Sequence, residues 1–231
     1  MPSLFEISVK SKIISAAPQE ILNSIINIPP PTTTHTKSSA ISSPLDLLKT
    51  DCANAIEEYN NLLKNRGINT VSDVSNVAIF LYYIVRIKKP ELMIETGVAT
   101  GLSSFFILKA MSENNFGKLV STDIRYDAGE IVPDYLRNRW NFILLKRDNK
   151  NQFKKFINGF DKIDIFFHDS DHSYWWQNLE YVYSFEHIKK GGLLVSDDID
   201  NSYAFLDFVK KNKLAFYSFF NVGSMAGVII K

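Results

Sequence analysis

The sequence predicts an α/β fold with a doubly wound, mostly parallel seven-stranded sheet that ends in an antiparallel hairpin. From Glu91 onward, short apolar runs alternate with helix-length segments, a pattern typical of parallel strands joined by helices. The central runs are almost continuously apolar, as expected of strands buried on both faces. Only Asn221 to Ser224 separate the last two runs, which is too short for a crossover and predicts a hairpin.

Seven segments are predicted as strands, and helical stretches lie between most of them. An ordinary dinucleotide-binding fold would normally end with another crossover helix, so the final hairpin argues against it. The predicted strands are Leu92–Thr96, Lys118–Asp123, Phe142–Lys146, Ile163–His168, Gly192–Ser196, Leu214–Phe220 and Met225–Ile230.

The residues before the sheet form a helical N-terminal extension. Residues 1–43 are interpreted as an extension and linker, because Ile28 to Pro44 are rich in proline, threonine and serine and Pro18 to Asn27 could form a short amphipathic helix. Residues 44–231 are interpreted as one domain, with a helical cap over 44–90 and an α/β core over 91–231. The cap is predicted to hold helices over Leu45–Lys64 and Val71–Lys88, the second of which is ended by Pro90.

Composition excludes several classes of protein. Apolar residues make up 45% of the 231 residues, which is enough for a sizeable core, and the net charge of +1 predicts no general attraction to nucleic acid or acidic membranes. The single cysteine, Cys52, rules out an internal disulfide framework. Because no apolar run approaches the ~20 residues of a membrane helix and the start lacks a signal pattern, we expect a cytoplasmic protein.

The most informative motif is the loop from Glu95 to Ser103, between a predicted strand and a helix. Gly97 and Gly101 stand four residues apart in it, and glycine is needed where a chain turns sharply or where a ligand must meet bare backbone. The helix that follows offers unpaired N–H groups. This pattern indicates a site for a nucleotide-like ligand.

Two further strands end in polar residues. In doubly wound folds an acid in the place of Asp123 accepts hydrogen bonds from ribose hydroxyls, and the alternative is a surface carboxylate that ends a strand. The third predicted strand leads to Asp148 and Asn149, which could bind the exocyclic amine of an adenine or simply start a turn.

The densest cluster of polar residues follows the fourth and fifth strands. Because parallel strand ends meet at one rim, Asp169 should face Asp197 and Asp198 across a crevice. Crowded carboxylates are unfavourable unless one is protonated or a cation lies among them, and carboxylate oxygens suit Mg²⁺. The alternative is a set of solvated turn acids, with Asp171 and Asp200 as helix caps.

His172 lies three residues after Asp169, at the start of the next helix, where it could take a proton from a bound hydroxyl group. The alternative is a histidine that only hydrogen-bonds a carbonyl. His168 should point to the opposite face of the strand, which predicts a core or supporting role. The aromatic residues on the helix after the fourth strand should mostly pack on the sheet, although one or two could line an acceptor pocket.

Together these motifs resemble class I S-adenosylmethionine (SAM)-dependent methyltransferases. The residues concerned are E-T-G-V-A-T-G, an acid that ends the second strand, F-F-H-D-S-D-H-S-Y, and K-K-G-G-L-L-V-S-D-D-I-D. Within that class the chain is similar to the small-molecule O-methyltransferases that include macrolide-sugar methyltransferases and cephalosporin-hydroxylase-like proteins. The resemblance covers about Val71 to Lys231. The loop G-V-A-T-G departs from the fuller glycine-rich form.

The resemblance implies a role for each motif residue. Glu95, Gly97 and Gly101 would lie against the methionine part of SAM, Asp123 would hold the ribose, and Asp148 would lie near the adenine. Three more residues are assigned to cofactor binding, namely Thr100, Ser103 and Asp169. In the sugar methyltransferases, an Asp with a His three positions on and two adjacent acids after strand five supply the metal ligands and the base. Asp169, His172, Asp197 and Asp198 have that spacing.

The expected reaction is therefore Mg²⁺-assisted methylation of a hydroxyl on a small molecule or sugar. Asp169, Asp197 and Asp198 would hold the metal, and His172 would be the base, with Asp169 beside it in the catalytic group. Open alternatives are a metal-independent methyltransferase that uses His172, and a methyltransferase-like protein that binds without catalysis. A metallo-hydrolase would need more histidines, and a nicotinamide enzyme would need G-x-G-x-x-G. The cap helices would cover the crevice or form a homo-oligomer interface.

Overall fold

The computed structural model describes residues 44–67, 74–221 and 223–231. The expectations for residues 1–43, including the helix over Pro18 to Asn27, lie outside these ranges. Helices and 3₁₀ helix within them are α1 Pro44–Asn65, α2 Asn76–Lys88, α3 Leu102–Glu113, a 3₁₀ helix Asp134–Arg139, α4 Lys150–Ile157, α5 Tyr174–His187 and α6 Ala204–Asn212. Strands are β1 Leu92–Thr96, β2 Lys118–Asp123, β3 Trp140–Leu144, β4 Ile163–His168, β5 Ile188–Ser196, β6 Phe216–Asn221 and β7 Ser224–Ile230.

The strands form one sheet in the order β3-β2-β1-β4-β5-β7-β6. Strands β1 to β5 pair in parallel, whereas β7 is antiparallel to both β5 and β6. The predicted fold class is confirmed, including the antiparallel hairpin at the end. Strand order reverses at β1, so the crevice between the carboxyl ends of β1 and β4 is where such a sheet binds a ligand.

Alternate strand residues divide the core into two layers. Met93 packs with α1, α2 and α3 on one face, and its neighbour Ile94 packs with α4, α5 and α6 on the other. The same alternation separates Phe167 from Phe166 in β4. Because side chains of a strand alternate in direction, this layering determines which site residues can face α3 and which can face α5.

Strands β1, β2 and β4 have the predicted bounds, while other elements shift. Helix α2 begins at Asn76, where the Ser75 hydroxyl accepts a hydrogen bond from the Ala78 amide and caps it. The first predicted residues of this helix, 71–73, lie outside the described ranges. Strand β3 starts two residues earlier than predicted, at Trp140. It is an edge strand with a half-exposed pattern, so its apolar signal is weak. Strand β5 also extends back to Ile188, through an irregularity in its pairing with β4.

Candidate active site

The carboxyl ends of the parallel strands surround a cavity of roughly 480 Å³, a size that suits a small-molecule ligand. One wall comes from the loop after β1 and the end of β2, and the opposite wall comes from the loop between β4 and α5. Lining residues from the predicted site are Gly97, Asp123, Asp148, Asp169 and His172. The predicted residues Glu95, Thr100, Gly101, Ser103, Asp197 and Asp198 do not line it.

Glu95 lies beneath the glycine loop, fully buried in the layer that faces α3. Its carboxylate accepts hydrogen bonds of 2.6 Å from the hydroxyls of Ser103, Ser104 and Ser121. Burial raises the pKa of Glu95, and the three hydroxyls oppose that shift. The side chains of Glu95 and Ser103 therefore tie β1 to α3 and β2, and any contact with a cofactor would have to come from their backbone.

The glycine loop approaches neighbouring backbone more closely than any side chain would allow. A Cβ at Gly97, where φ is +84°, would lie 1.8 Å from the carbonyl oxygen of Asp169. Gly101 has φ +105° and faces Gly129 rather than the cavity, and the Thr100 carbonyl accepts a hydrogen bond of 3.1 Å from the Ile131 amide. Gly97 thus allows the ends of β1 and β4 to come together, which brings the two walls into contact.

Asp123 holds the glycine loop from the end of β2. Its Oδ2 accepts hydrogen bonds of 2.9 Å from the amides of Val98 and Ala99, and its Oδ1 accepts one of 2.8 Å from the Arg125 amide. A carboxylate has further acceptor capacity, so a ribose hydroxyl could still bind there. Asp148 lines the same side of the cavity in the left-handed conformation, with φ 55°.

Asp169 and His172 occupy the opposite wall. The Asp169 amide donates to the Thr96 carbonyl at 2.8 Å, which places its side chain, 35% exposed, in the crevice. Burial and the negative charges of Asp197, Glu95 and Asp198 raise the pKa of Asp169 well above its ordinary value. The Nε2 atom of His172 lies 3.7 Å from Asp169 Oδ1 and 3.5 Å from Asp198 Oδ2.

The imidazole of His172 is disposed to be neutral. Burial and the neighbouring His168 ring lower its pKa, while Asp198, Asp171 and Glu180 oppose that shift. Asp171 instead accepts a hydrogen bond of 2.7 Å from the Ser173 amide just before α5, so it shapes the start of that helix. A neutral imidazole nitrogen that faces a crevice can accept a proton.

The two acids after β5 do not line the cavity, and each accepts hydrogen bonds from neighbouring groups. Both oxygens of Asp197 accept hydrogen bonds of 3.0 Å from Nδ2 of Asn221, and Oδ1 also accepts one from the Asp198 amide. Asp198 has φ 50°, and its Oδ2 accepts from Asn201 at 3.0 Å. Burial, together with the charge of Asp198, raises the pKa of Asp197, and the Asn221 amide opposes the shift.

The predicted magnesium site is therefore not assembled in this arrangement. Within residues 44–67, 74–221 and 223–231, no three His, Cys, Asp or Glu side chains form a group able to hold a metal ion. Carboxylates of Asp169, Asp197 and Asp198 supply suitable oxygens, but the Asn221 amide engages both oxygens of Asp197. Asp200, expected as a helix cap, instead accepts a hydrogen bond from the Met225 amide in the hairpin.

The sequence analysis did not predict a role for two residues near His168 and Asp197, namely Glu180 and Asn221. Glu180 is buried in α5, lines the cavity and accepts hydrogen bonds from Ser170 and Trp176 at 3.0 and 2.7 Å, and its Oε2 lies 2.7 Å from His168 Nδ1. His168 is fully buried and faces α5, on the side of the strand that was expected. A lone carboxylate in the aromatic stretch of α5 was the available signal. Asn221 had none, because it meets Asp197 only through the hairpin.

Comparison with known proteins gives the class of the domain. Residues 94–199 match the family model described as a methyltransferase domain, a range that includes the glycine loop and both acidic clusters. No curated protein matched the chain. No helix in the described ranges is long and apolar enough to cross a membrane. The predicted resemblance to a methyltransferase domain is thus confirmed over residues 94–199.

Similar solved structures have the same fold. An O-methyltransferase from Bacillus cereus, in complex with SAH, is 13% identical over 77% of this chain and 91% of its own, with a TM-score of 0.55. The O-methyltransferase TomG from Streptomyces achromogenes, in complex with SAM, is 11% identical over 76% and 88%, with a TM-score of 0.56. MycE, in complex with Mg, SAH and mycinamycin VI, is 14% identical over 78% of this chain and 54% of its own (TM-score 0.53). The chain has the fold of SAM-dependent O-methyltransferases.

Proposed function

We propose that the protein transfers a methyl group from SAM to a hydroxyl of a small molecule or sugar, with His172 as the base. The observation that carries this proposal is the position of His172 Nε2. It lies on the cavity wall opposite Gly97 and Asp123, between two carboxylates, and its pKa is lowered. TomG and MycE act in the formation of tomaymycin and mycinamycin, which supports a small-molecule acceptor.

The glycine-loop side would bind SAM. Gly97 and Ala99 present backbone to the cavity, and Asp123 and Asp148 supply carboxylates at the ends of β2 and β3. These are the positions expected for the methionine part, the ribose and the adenine of the cofactor. When bound, SAM supplies an electrophilic methyl group, so the protein has only to align an acceptor oxygen and remove its proton.

The histidine side would activate the acceptor. With SAM bound, the acceptor oxygen would take the methyl group as the sulfur–carbon bond broke, and His172 Nε2 would accept the hydroxyl proton. Asp169 and Asp198, at 3.7 and 3.5 Å from that nitrogen, would then stabilise the protonated ring. A carboxylate with a raised pKa, as at Asp169, gains from a neighbouring positive charge.

Calorimetric titration of the full chain with SAM tests the proposal, followed by transfer from methyl-labelled SAM to a panel of hydroxylated small molecules and sugars. We expect saturable binding at one site and a labelled methyl ether. His172→Gln should bind SAM as the wild type does but lose transfer. Folded protein that does not bind SAM, or full transfer by His172→Gln, would overturn the proposal.

Magnesium assistance is a second candidate, favoured by the crowding of three carboxylates. Burial, together with the charges of neighbouring carboxylates, raises the pKa values of Asp169 and Asp197. Such repulsion is relieved when a cation binds. In this arrangement Asn221 would first have to release Asp197. Asn221→Ala should therefore increase affinity for Mg²⁺, measured by calorimetry with the metal alone. Equal and negligible affinity in both proteins, with transfer that survives a chelator, would remove the metal from the proposal.

A further inference from the structure

Two imidazole nitrogens beside the cavity are buried and have no hydrogen-bond partner within the described part of the chain. They are Nε2 of His168 and Nδ1 of His172. The two rings are perpendicular neighbours, with centroids 5.5 Å apart and an interplanar angle of 86°. Unpartnered buried polar atoms are rare and call for a physical reason. The two nitrogens are not hydrogen-bonded to each other in this arrangement, but because their rings are neighbours, each is a candidate partner for the other.

Glu180 determines which nitrogen of His168 carries a hydrogen. Its carboxylate, 1% exposed, also receives hydrogen bonds from the hydroxyls of Thr96 and Ser170 and from the indole N–H of Trp176, which can only donate. The fourth contact is His168 Nδ1, 2.7 Å from Oε2. Because the other three groups all donate to the Glu180 carboxylate, this carboxylate is the acceptor toward His168 as well. His168 therefore carries its hydrogen on Nδ1. Its Nε2 atom then offers a lone pair.

That lone pair favours one tautomer of His172. With the hydrogen on Nδ1, His172 can donate to His168, and its Nε2 lone pair is left facing the crevice. The two carboxylates act in the opposite sense, because Asp169 and Asp198 lie near His172 Nε2 and would attract a hydrogen there. A ring with that hydrogen could not accept a proton from an acceptor. The chain from Glu180 through His168 opposes this inactive tautomer.

We propose that Glu180 and His168 are positioning residues that hold neutral His172 in its Nδ1–H tautomer. The proposal deepens the proposed function, on which the role of His172 as base rests. Neither residue touches the acceptor oxygen in this account; both act through His172. The same contacts also fix Ser170 and Trp176 in the cavity wall, so the tautomer must be measured separately from the packing.

Nitrogen NMR of the full chain, with ¹⁵N-labelled histidine rings, tests the tautomers in the wild type at a pH where both rings are neutral. The sequence has four histidines, so single His→Gln variants suffice to assign the signals. We expect His168 and His172 both to carry hydrogen on Nδ1. Either ring with its hydrogen on Nε2 would overturn the proposal, whatever the activity of the enzyme.

Glu180→Gln tests the consequence. The amide can donate to His168 Nδ1, which should move the hydrogen of His168 to Nε2 and that of His172 to Nε2 as well. We expect that His172 tautomer to predominate and kcat to fall at least ~10-fold, with SAM affinity within about twofold of the wild type. Lower activity with an unchanged His172 tautomer would overturn the proposal, since it would mean a purely structural role.

Tyr181→Phe is the matched control. Tyr181 is fully buried beside Glu180, and its ring centroid is 5.3 Å from that of His168, but its hydroxyl bonds Ser196 instead. The Ser196 hydroxyl keeps the Asp197 carbonyl as acceptor. We expect unchanged tautomers in this variant. If the wild type shows both Nδ1–H tautomers yet binds no SAM, the proposed function fails while the tautomer assignment stands, so the two failures are distinguishable.

Discussion

The two walls of the cavity differ in how well their polar groups are satisfied. In the glycine-loop wall, formed by residues 95–103 with Asp123, each of the two key carboxylates accepts three hydrogen bonds. Glu95 accepts from three serine hydroxyls, and Asp123 accepts from three backbone amides. In the histidine wall, formed by residues 168–172 with the neighbouring Asp197 and Asp198, which do not themselves line the cavity, two imidazole nitrogens have no hydrogen-bond partner among the described residues. Two acids, Asp169 and Asp197, have raised pKa values.

This difference distinguishes a preformed binding surface, the glycine-loop wall, from a reactive surface, the histidine wall. Satisfied groups stabilise one conformation and can receive a ligand with little rearrangement. Crowded charges and unpartnered nitrogens cost stability, and they persist where the surrounding structure holds them, as is common at catalytic sites. The glycine-loop wall is thus suited to binding a cofactor, and the histidine wall is suited to moving a proton.

The contact between the walls should be the most sensitive point. Gly97→Ala places a Cβ against the Asp169 carbonyl and adds a left-handed alanine, so we expect about 4 kcal/mol or more of lost stability. Gly191→Ala is the control, because its φ of +78° is similar but nothing lies within 4 Å of the new atom. It should lose only about 1 kcal/mol. Urea unfolding measures both; equal losses would contradict the close approach.

Replacing the proposed base, His172, should lower the rate of methyl transfer without affecting SAM binding. We expect His172→Gln to lower kcat about 10²- to 10⁴-fold, because proton transfer in the transition state is lost, with SAM affinity unchanged. His187→Gln is the control, since that ring contacts Asn158 at the far end of α5. Steady-state kinetics with calorimetry separates the two effects. A loss of SAM affinity equal to the loss of kcat would place His172 on the binding side.

The Asn221 amide is expected to stabilise the histidine wall. Asn221→Ala removes its hydrogen bonds to both oxygens of a mostly buried carboxylate, which we expect to cost about 2 kcal/mol of unfolding free energy. Asn212→Ala, which removes one amide-to-carbonyl bond to Phe208 in α6, should cost less. Chemical denaturation checks the difference, and a smaller loss for Asn221→Ala would show that Asp197 does not need this partner.

The smallest effect should be a gain in stability. A carboxyl whose pKa is raised on folding binds more protons in the folded state, so stability falls as pH rises from its unfolded value of 3.8 through its folded value. Asp169→Asn removes that loss and should be more stable than the wild type at pH 7, with a flatter pH dependence. Thermal unfolding from pH 4 to 8 measures this. A variant that is less stable than the wild type at pH 7 would contradict the inference that the ionised Asp169 carboxylate costs stability there.

Local sequence signals predicted the frame of the site but not its hydrogen bonds. Strands β1, β2 and β4 were predicted to the residue because both faces are buried and their runs are apolar. That in turn gave the rim on which Asp123, Asp169 and Asp197 stand. The edge strand β3 was placed two residues late because its exposed positions weaken the apolar pattern.

Long-range partners could not be predicted in the same way. Asn221 reaches Asp197 only because β7 lies between β5 and β6, and this order is not encoded in any local pattern. Glu180 meets His168 across the layer between β4 and α5. The three acids share one rim as predicted, yet their side chains have other partners, which is why spacing alone suggested a metal group that the described residues do not form.

The central claim is that the glycine-loop wall binds SAM and the histidine wall moves the proton. Calorimetric titration with SAM tests it most directly, in two single variants, Asp123→Asn and His172→Gln. Asp123→Asn should weaken SAM binding at least ~10-fold, because it alters the carboxylate that holds the loop and that we propose to bind the ribose. His172→Gln should bind SAM with wild-type affinity. Weakened binding in His172→Gln together with unchanged binding in Asp123→Asn would contradict this account.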